Sequence, residues 1–568
     1  MKKIAYISVF LLLAGFANAQ EKNDSLVREV NVVRTYIPEI QDAGKINTLP
    51  DIEKPEVIPA KNLKYSTWSA PLATSFDLQT LPSATLRKMR APKEFREGYA
   101  KIGAGNYLSF LGDIYVPILK APDYRLDFAT KHLSTFGKVR LDNGERKKAQ
   151  DLRNSGQLAF SKSFFKMDLF SEVNFYRHDF NYYGQDLTDL ASALRDSVAP
   201  MGKEAHTFFD VSVGVASRDL SADFQYTAAI KYELAHTKTG LNEHHIQTIG
   251  NLSYALSEPH LIGVNLSLDN MIYNSPDTLG TLFQNVGDRF TNYTVFGINP
   301  YYKLQKDIWD IRLGLKADFA SRGKAVSVSP DIAGQVALVP EIFYLYAGLG
   351  GDYEVNTLNK TLKENQYVRP DVLRENTRTP LNAYGGLKFK VFNYLIFNGF
   401  AGYKFIDNQY FYVNHRSETD SAYYDNTFDI VVDEANLFYA GASLTYNYKQ
   451  KVSALLKGTY NNWKTTDQAY AWHKPDWELN FDLSYKINDD IRVSANAFAL
   501  GKRYALGYEN KAVKLKPLFD LSLSGTYEYS SWVSFFLNLN NLLYQNNQIW
   551  YGYNLHKFNF MAGATFSF

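Results

Sequence analysis

Few residues of this 568-residue chain stand at spacings that do chemistry by themselves. Ser163-Phe164-Phe165-Lys166 matches the Ser-x-x-Lys pattern in which a lysine activates a serine nucleophile, but it falls at a short turn between two strand segments, where the match reads as chance. His244 and His245 are adjacent, and neighbours on a strand point to opposite faces, so spacing alone gives them no shared metal. The ten histidines include no His-x-x-x-His pair, and the absence of cysteine excludes disulfides, thiolate metal sites and thiol nucleophiles. Glu418, Asp420 and Asp425 offer oxygen ligands for calcium without the spacing of an EF-hand. The densest cluster is basic. Lys138, Arg140, Arg146, Lys147, Lys148 and Arg153 crowd residues 138–153 against Asp142, Glu145 and Asp151, which suits a surface loop that binds lipopolysaccharide phosphates or an anionic ligand. The expectation is therefore a protein that is not an enzyme and has no cofactor and no metal. A formal charge of +2 gives no electrostatic reason for nucleic-acid binding.

The elements that must carry these residues are strands. Residues 477–487 alternate apolar and polar without a break, and the same period of two recurs at Phe224, Tyr226, Ala228, Ile230, Tyr232 and Leu234. From residue 97 onward about 22 such segments follow one another. Every second connection between them is short, as at Ala121-Pro122, Glu258-Pro259 and Asn488-Asp489. Most of the intervening ones are long, as at 133–153, 179–203, 355–377 and 504–514. In 179–203, Leu187, Leu190, Ala191 and Leu194 fall at helical spacing. Short turns at one rim and long loops at the other suit an outer-membrane barrel, whereas a soluble sandwich has no reason to keep that parity. The fold expected is all-β: a transmembrane antiparallel up-and-down β-barrel of about 22 strands over residues 97–568. An aromatic share of 15% fits, because Trp477, Tyr485, Trp532, Trp550 and Tyr551 near strand ends suit the two interfacial girdles.

Both ends add to this. Lys2 and Lys3, an apolar run from Ile4 to Phe16 and Ala17-Asn18-Ala19 read as a cleaved signal peptide over 1–19. Residues 20–96 contain Pro38, Pro50, Pro55, Pro59, Pro71, Pro82 and Pro92, a density that blocks long helices and interior strands. They read as a Pro-rich periplasmic leader or a reduced plug. The chain ends with Phe566 and Phe568 on the oily face of its last strand, which looks like the insertion signal read by the barrel-assembly machinery.

The closing stretch resembles a known family. Phe535-Phe536-Leu537-Asn538-Leu539-Asn540-Asn541-Leu542-Leu543-Tyr544, then Trp550-Tyr551-Gly552-Tyr553 and a final strand to Phe568, is similar to the last hairpin of TonB-dependent receptors. Glu29-Val30-Asn31-Val32-Val33 resembles their TonB box, the short extended segment that pairs with an energy-coupling protein. The resemblance departs at the plug, since residues 20–96 are too few and too proline-rich for the usual plug sheet. It implies an outer-membrane barrel that binds or takes up a bulky solute at the cell surface. The alternatives are a plugless, non-transporting scaffold or secretion-associated barrel closed by its leader or a partner protein, and, more weakly, a barrel enzyme. The partners implied are outer-membrane lipid and lipopolysaccharide, the assembly machinery, a TonB-like protein and a lumen-filling or surface partner protein.

Overall fold

The computed structural model describes residues 97–568 except 185–201, 220, 275–277, 280–282, 285–289, 417–423 and 508–509. The signal segment, the Pro-rich segment, Glu29 to Val33, the spacing at Leu187 to Leu194, Glu418 and Asp420 all lie outside the described residues.

Twenty-two strands form one sheet. They are β1 (Tyr99–Gly105), β2 (Ser109–Lys120), β3 (Tyr124–Thr135), β4 (Asp151–Ser163), β5 (Met167–Asn181), β6 (Lys203–Ser217) and β7 (Phe224–Thr237). Next come β8 (Asn242–Ser257), β9 (His260–Asn274), β10 (Tyr293–Lys306), β11 (Trp309–Ala320), β12 (Val326–Val339), β13 (Phe343–Glu354) and β14 (Thr377–Val391). The last are β15 (Leu395–Arg416), β16 (Tyr424–Tyr448), β17 (Val452–Thr465), β18 (Trp477–Lys486), β19 (Ile491–Leu500), β20 (Leu518–Glu528), β21 (Val533–Asn540) and β22 (Asn559–Ser567). Each pairs antiparallel with its chain neighbours. β1 closes the sheet on β22, from Tyr99 opposite Ser567 to Gly105 opposite Met561. Gly98 and Phe568 exchange backbone hydrogen bonds of 3.0 and 3.1 Å beyond the end of that seam. A closed cylinder leaves no edge strand, so each wall strand has a hydrogen-bonding neighbour on both sides.

The period of two sorts the side chains. Ile102, Ile230, Leu315 and Val328 point outward and stay half exposed, an apolar surface that suits hydrocarbon rather than water. The inward side is polar. Asn251, Asn265 and Asn299 stand in register on three successive strands, and Asn265 donates to Asn299 at 2.8 Å. Asp331 then accepts from Asn299 at 3.1 Å and from Arg312 at 2.7 Å. Such a ladder satisfies polar groups that would be ruinous on the outer face.

The final strand begins later than its alternation suggests. Residues 550–558 do not extend β22; they belong to a loop, 541–558, that turns into the barrel. Trp550 is therefore buried rather than part of a girdle, packed in the inward cluster described below. Tyr485 and Trp532, at the short-turn end, do stand exposed.

Candidate functional site

The long-loop end of the cylinder is where chemistry-bearing side chains converge. Residues 355–376 start with a short helix, α1 (Leu358–Glu364). Thr357 caps it, its hydroxyl accepting from the Lys360 amide at 3.1 Å, and Asn365 ends it by donating back to the Thr361 carbonyl at 2.9 Å. Leu358 and Leu362, one turn apart, bury the same face. The helix start is held by the wall: the Leu358 amide donates to Glu243 of β8 at 2.7 Å, and Asn359 donates to Glu233 of β7 at 3.2 Å. The helix end is held by other strands. Glu364 accepts from the Tyr410 and Tyr412 hydroxyls of β15, at 2.5 and 3.0 Å, and pairs with Lys474 at 3.3 Å. Buried carboxylates at both ends are thus each met by donors, as their desolvation requires.

Beyond α1 the segment meets further loops. Tyr367 stacks on Tyr553 of loop 541–558 with ring centroids 3.5 Å apart, and meets Phe180 of β5 edge-on at 5.9 Å. Val368 bridges to Phe428 of β16, the Arg369 amide donating to the Phe428 carbonyl at 2.9 Å and the Phe428 amide to that of Tyr367 at 3.0 Å. β5 and β16 stand half the cylinder apart, yet Phe180 and Phe428 share one buried cluster with Tyr367, Trp550 and Tyr553. The loops therefore meet across the mouth. Burial raises the Tyr367 and Tyr183 phenols, the latter to about 12, so both stay neutral donors.

Two cations pin the lid. Arg503, in the loop hairpin Arg503–Leu506 with Ala512–Leu515, donates to the carbonyls of Ile549 at 3.0 Å and Gln548 at 2.8 Å. Burial lowers it to about 10. Arg374 donates to the Thr361 hydroxyl at 2.5 Å; burial pulls its guanidinium down while Glu243 holds it up. His473 donates from Nδ1 to the Tyr412 carbonyl at 2.9 Å, so its Nε2 is the acceptor for the Tyr551 amide at 3.3 Å. That tautomer is neutral, and burial lowers the ring to about 3.

The residues singled out from the sequence fall elsewhere. Lys138, Arg140, Arg146, Lys147 and Lys148 form a loop hairpin, Lys138–Arg140 with Arg146–Lys148. Arg153 is not with them: it lies on β4, paired with Asp151 at 2.8 Å. Ser163 and Lys166 flank a turn at the opposite, short-turn end. His244 and His245 do face opposite ways. His244 bonds the Tyr232 hydroxyl at 2.8 Å, whereas His245 lies between Glu233 at 3.0 Å and Asp269 at 2.7 Å. Among the described residues no group of three or more His, Asp or Glu side chains is placed to hold a metal ion. Phe566 and Phe568 are exposed at the end of β22. The sequence reading missed the lid itself. Its signal was present as Tyr367, Trp550, Tyr551 and Tyr553, large aromatics inside long loops that make sense only when packed inward.

This geometry defines a class: a closed 22-stranded antiparallel barrel whose long loops fold over its mouth. No family profile and no curated protein matches the sequence. Solved structures do match in fold. A variant of the ferric enterobactin receptor PfeA from Pseudomonas aeruginosa is 14% identical, with a TM-score of 0.60 over 83% of this chain and 80% of that one. The siderophore receptor PirA from Acinetobacter baumannii is 13% identical, with a TM-score of 0.61 over 84% and 81%. The FrpB iron transporter from Neisseria meningitidis is 10% identical, with a TM-score of 0.64 over 84% and 82%. The resemblance to TonB-dependent receptors drawn from the closing hairpin therefore holds for the fold.

Proposed function

We propose that this chain is an outer-membrane receptor of the TonB-dependent type, which captures a bulky solute at the cell surface and passes it inward. One observation carries the reading: loops from opposite walls close the mouth of a wide, polar-lined cylinder around a buried aromatic centre. A passive pore has no use for such a cover, and a gated receptor does. The likeness in fold to siderophore receptors and an iron transporter supports the class without naming this chain's solute. In this reading the long loops face outside, residues 1–19 are cleaved on export, and 20–96 lie in the periplasm or the lumen. Glu29, Val30, Asn31, Val32 and Val33 contact a TonB-like coupling protein, and Phe566 and Phe568 engage the assembly machinery.

The experiment compares cells carrying the full chain with cells lacking Glu29 to Val33, at equal surface levels, across a panel of iron, vitamin and oligosaccharide sources. Growth on at least one source should fail without the segment. Equal growth on every source would overturn energised uptake. It would favour the second reading, a non-transporting scaffold barrel. That reading has its own support in the ionic ties of the lid, since Glu364, Arg369 and Asp371 are all buried and bonded.

A further inference from the structure

The hairpin at 138–148 has an arrangement that its own strands disfavour. Lys138 stands directly opposite Lys148, and Arg140 opposite Arg146. Directly opposed residues share a face, as do residues two apart, so the four cations lie on one side of a two-stranded ribbon. All four are exposed, whereas Val139, between them, is buried on the other side with Leu141 and Ala149. Like charges directly opposite one another destabilise a strand pair. None of the four forms an ion pair among the described residues; Lys148 lies 5.9 Å above the Phe136 ring. The nearby acids are engaged elsewhere. Glu145 pairs with Lys147 at 3.1 Å, on the opposite face, and Asp151 with Arg153 and His178. Asp179 pairs with Arg177 at 2.7 Å.

The ribbon is nevertheless held rigidly. Asp142, at its tip, accepts from three amide side chains of loop 541–558: Asn546 at 2.7 Å, Gln548 at 3.1 Å and Asn554 at 2.8 Å. Gly144 takes a φ of +89° to close the turn. Gly137 packs against Tyr107 and His556, close enough that a Cβ there would meet both rings. The tip of the ribbon is thus tied to the lid, its apolar side is buried through Val139, Leu141 and Ala149, and its cationic side is left exposed. The anchor on loop 541–558 also sets the location: the ribbon leans on the cover of the mouth, not on the apolar outer wall.

We infer that Lys138, Arg140, Arg146 and Lys148 form a binding face for a solute carrying at least two oxyanion groups, phosphate or carboxylate, about 5–7 Å apart. Cations opposite each other across the ribbon hold one oxyanion, and the next pair along holds the second. The ribbon backbone is pre-set, and the relief of mutual repulsion among the four cations offsets the cost of ordering their exposed side chains on the ligand. This deepens the receptor reading by giving the captured solute a charge class; it excludes Lys147 and Arg153 from the site.

The test uses the full chain in detergent and tripolyphosphate as the probe, titrated by calorimetry at low and high salt. Wild type should bind, and R140Q/R146Q should weaken binding about tenfold or more while lowering its salt dependence. K147Q should bind as wild type does, and so should R140K/R146K within a few-fold. Equal binding by wild type and R140Q/R146Q would overturn the site. So would binding only to vesicles containing lipopolysaccharide and not to tripolyphosphate, since that is a lipid-headgroup site. The outcome is independent of the growth test on Glu29 to Val33, so either claim can fail alone.

Discussion

At the scale of single residues, His473 is the most informative side chain in the lid. It is neutral by construction, because Nδ1 donates to the Tyr412 carbonyl while Nε2 accepts from Tyr551. Lys474 and Arg503 add to the burial that lowers it to about 3. In a released loop the ring would titrate near 6.5. The folded lid therefore binds fewer protons than the released one between those values, and its stability falls as pH drops from about 6.5 towards 3. His556, lowered to about 4 by burial in loop 541–558, has the same sign. Hydrogen exchange across residues 541–558 should show more frequent opening at pH 5 than at pH 7, after correction for intrinsic rates. H473Q, which can donate and accept but not titrate, should remove part of that dependence, and H473Q/H556Q most of it. An unchanged pH profile in the double variant would refute the assignment.

At the scale of elements, strands and loops were legible to different degrees, for a physical reason. A strand in a barrel wall writes its environment into every second residue, so 477–487 and 557–568 announce an oily and a wet face. A loop that folds into the lumen carries no such period. Its contacts with opposite walls, such as Tyr367 with Phe180 and Val368 with Phe428, are set by tertiary closure alone. The same distinction explains why residues 550–558 read as strand: their aromatics match the pattern of a girdle but serve the lid. For the basic hairpin, composition identified the loop, and only the register separated four cations on one face from Lys147 and Arg153. The lid's two attachments suggest a direct test of its motion. Val368 and Phe428 are bridge partners, and the chain has no cysteine, so V368C/F428C offers only one disulfide. Oxidation should abolish uptake of whichever source the growth panel identifies, and reduction should restore it. Full uptake through the oxidised form would mean that 355–376 need not move.

At the scale of the whole molecule, the question is what keeps a 22-stranded cylinder from being a hole. Barrels of this size are wide enough to leak unless filled. Among the described residues, the closure comes from contacts made by 355–376 and 541–558. If they are sufficient, removing 20–96 leaves the mouth shut, whereas replacing 355–376 by a short Gly-Ser linker opens it. Single-channel conductance in planar bilayers should then stay low for the chain lacking 20–96 and rise for the loop-shortened chain, with the double variant highest. A large conductance on removing 20–96 alone would show that the loops are a cover and not a seal. Closure would then depend on the proline-rich segment, and the strength of the lid's ionic ties would have to be explained by ligand capture instead.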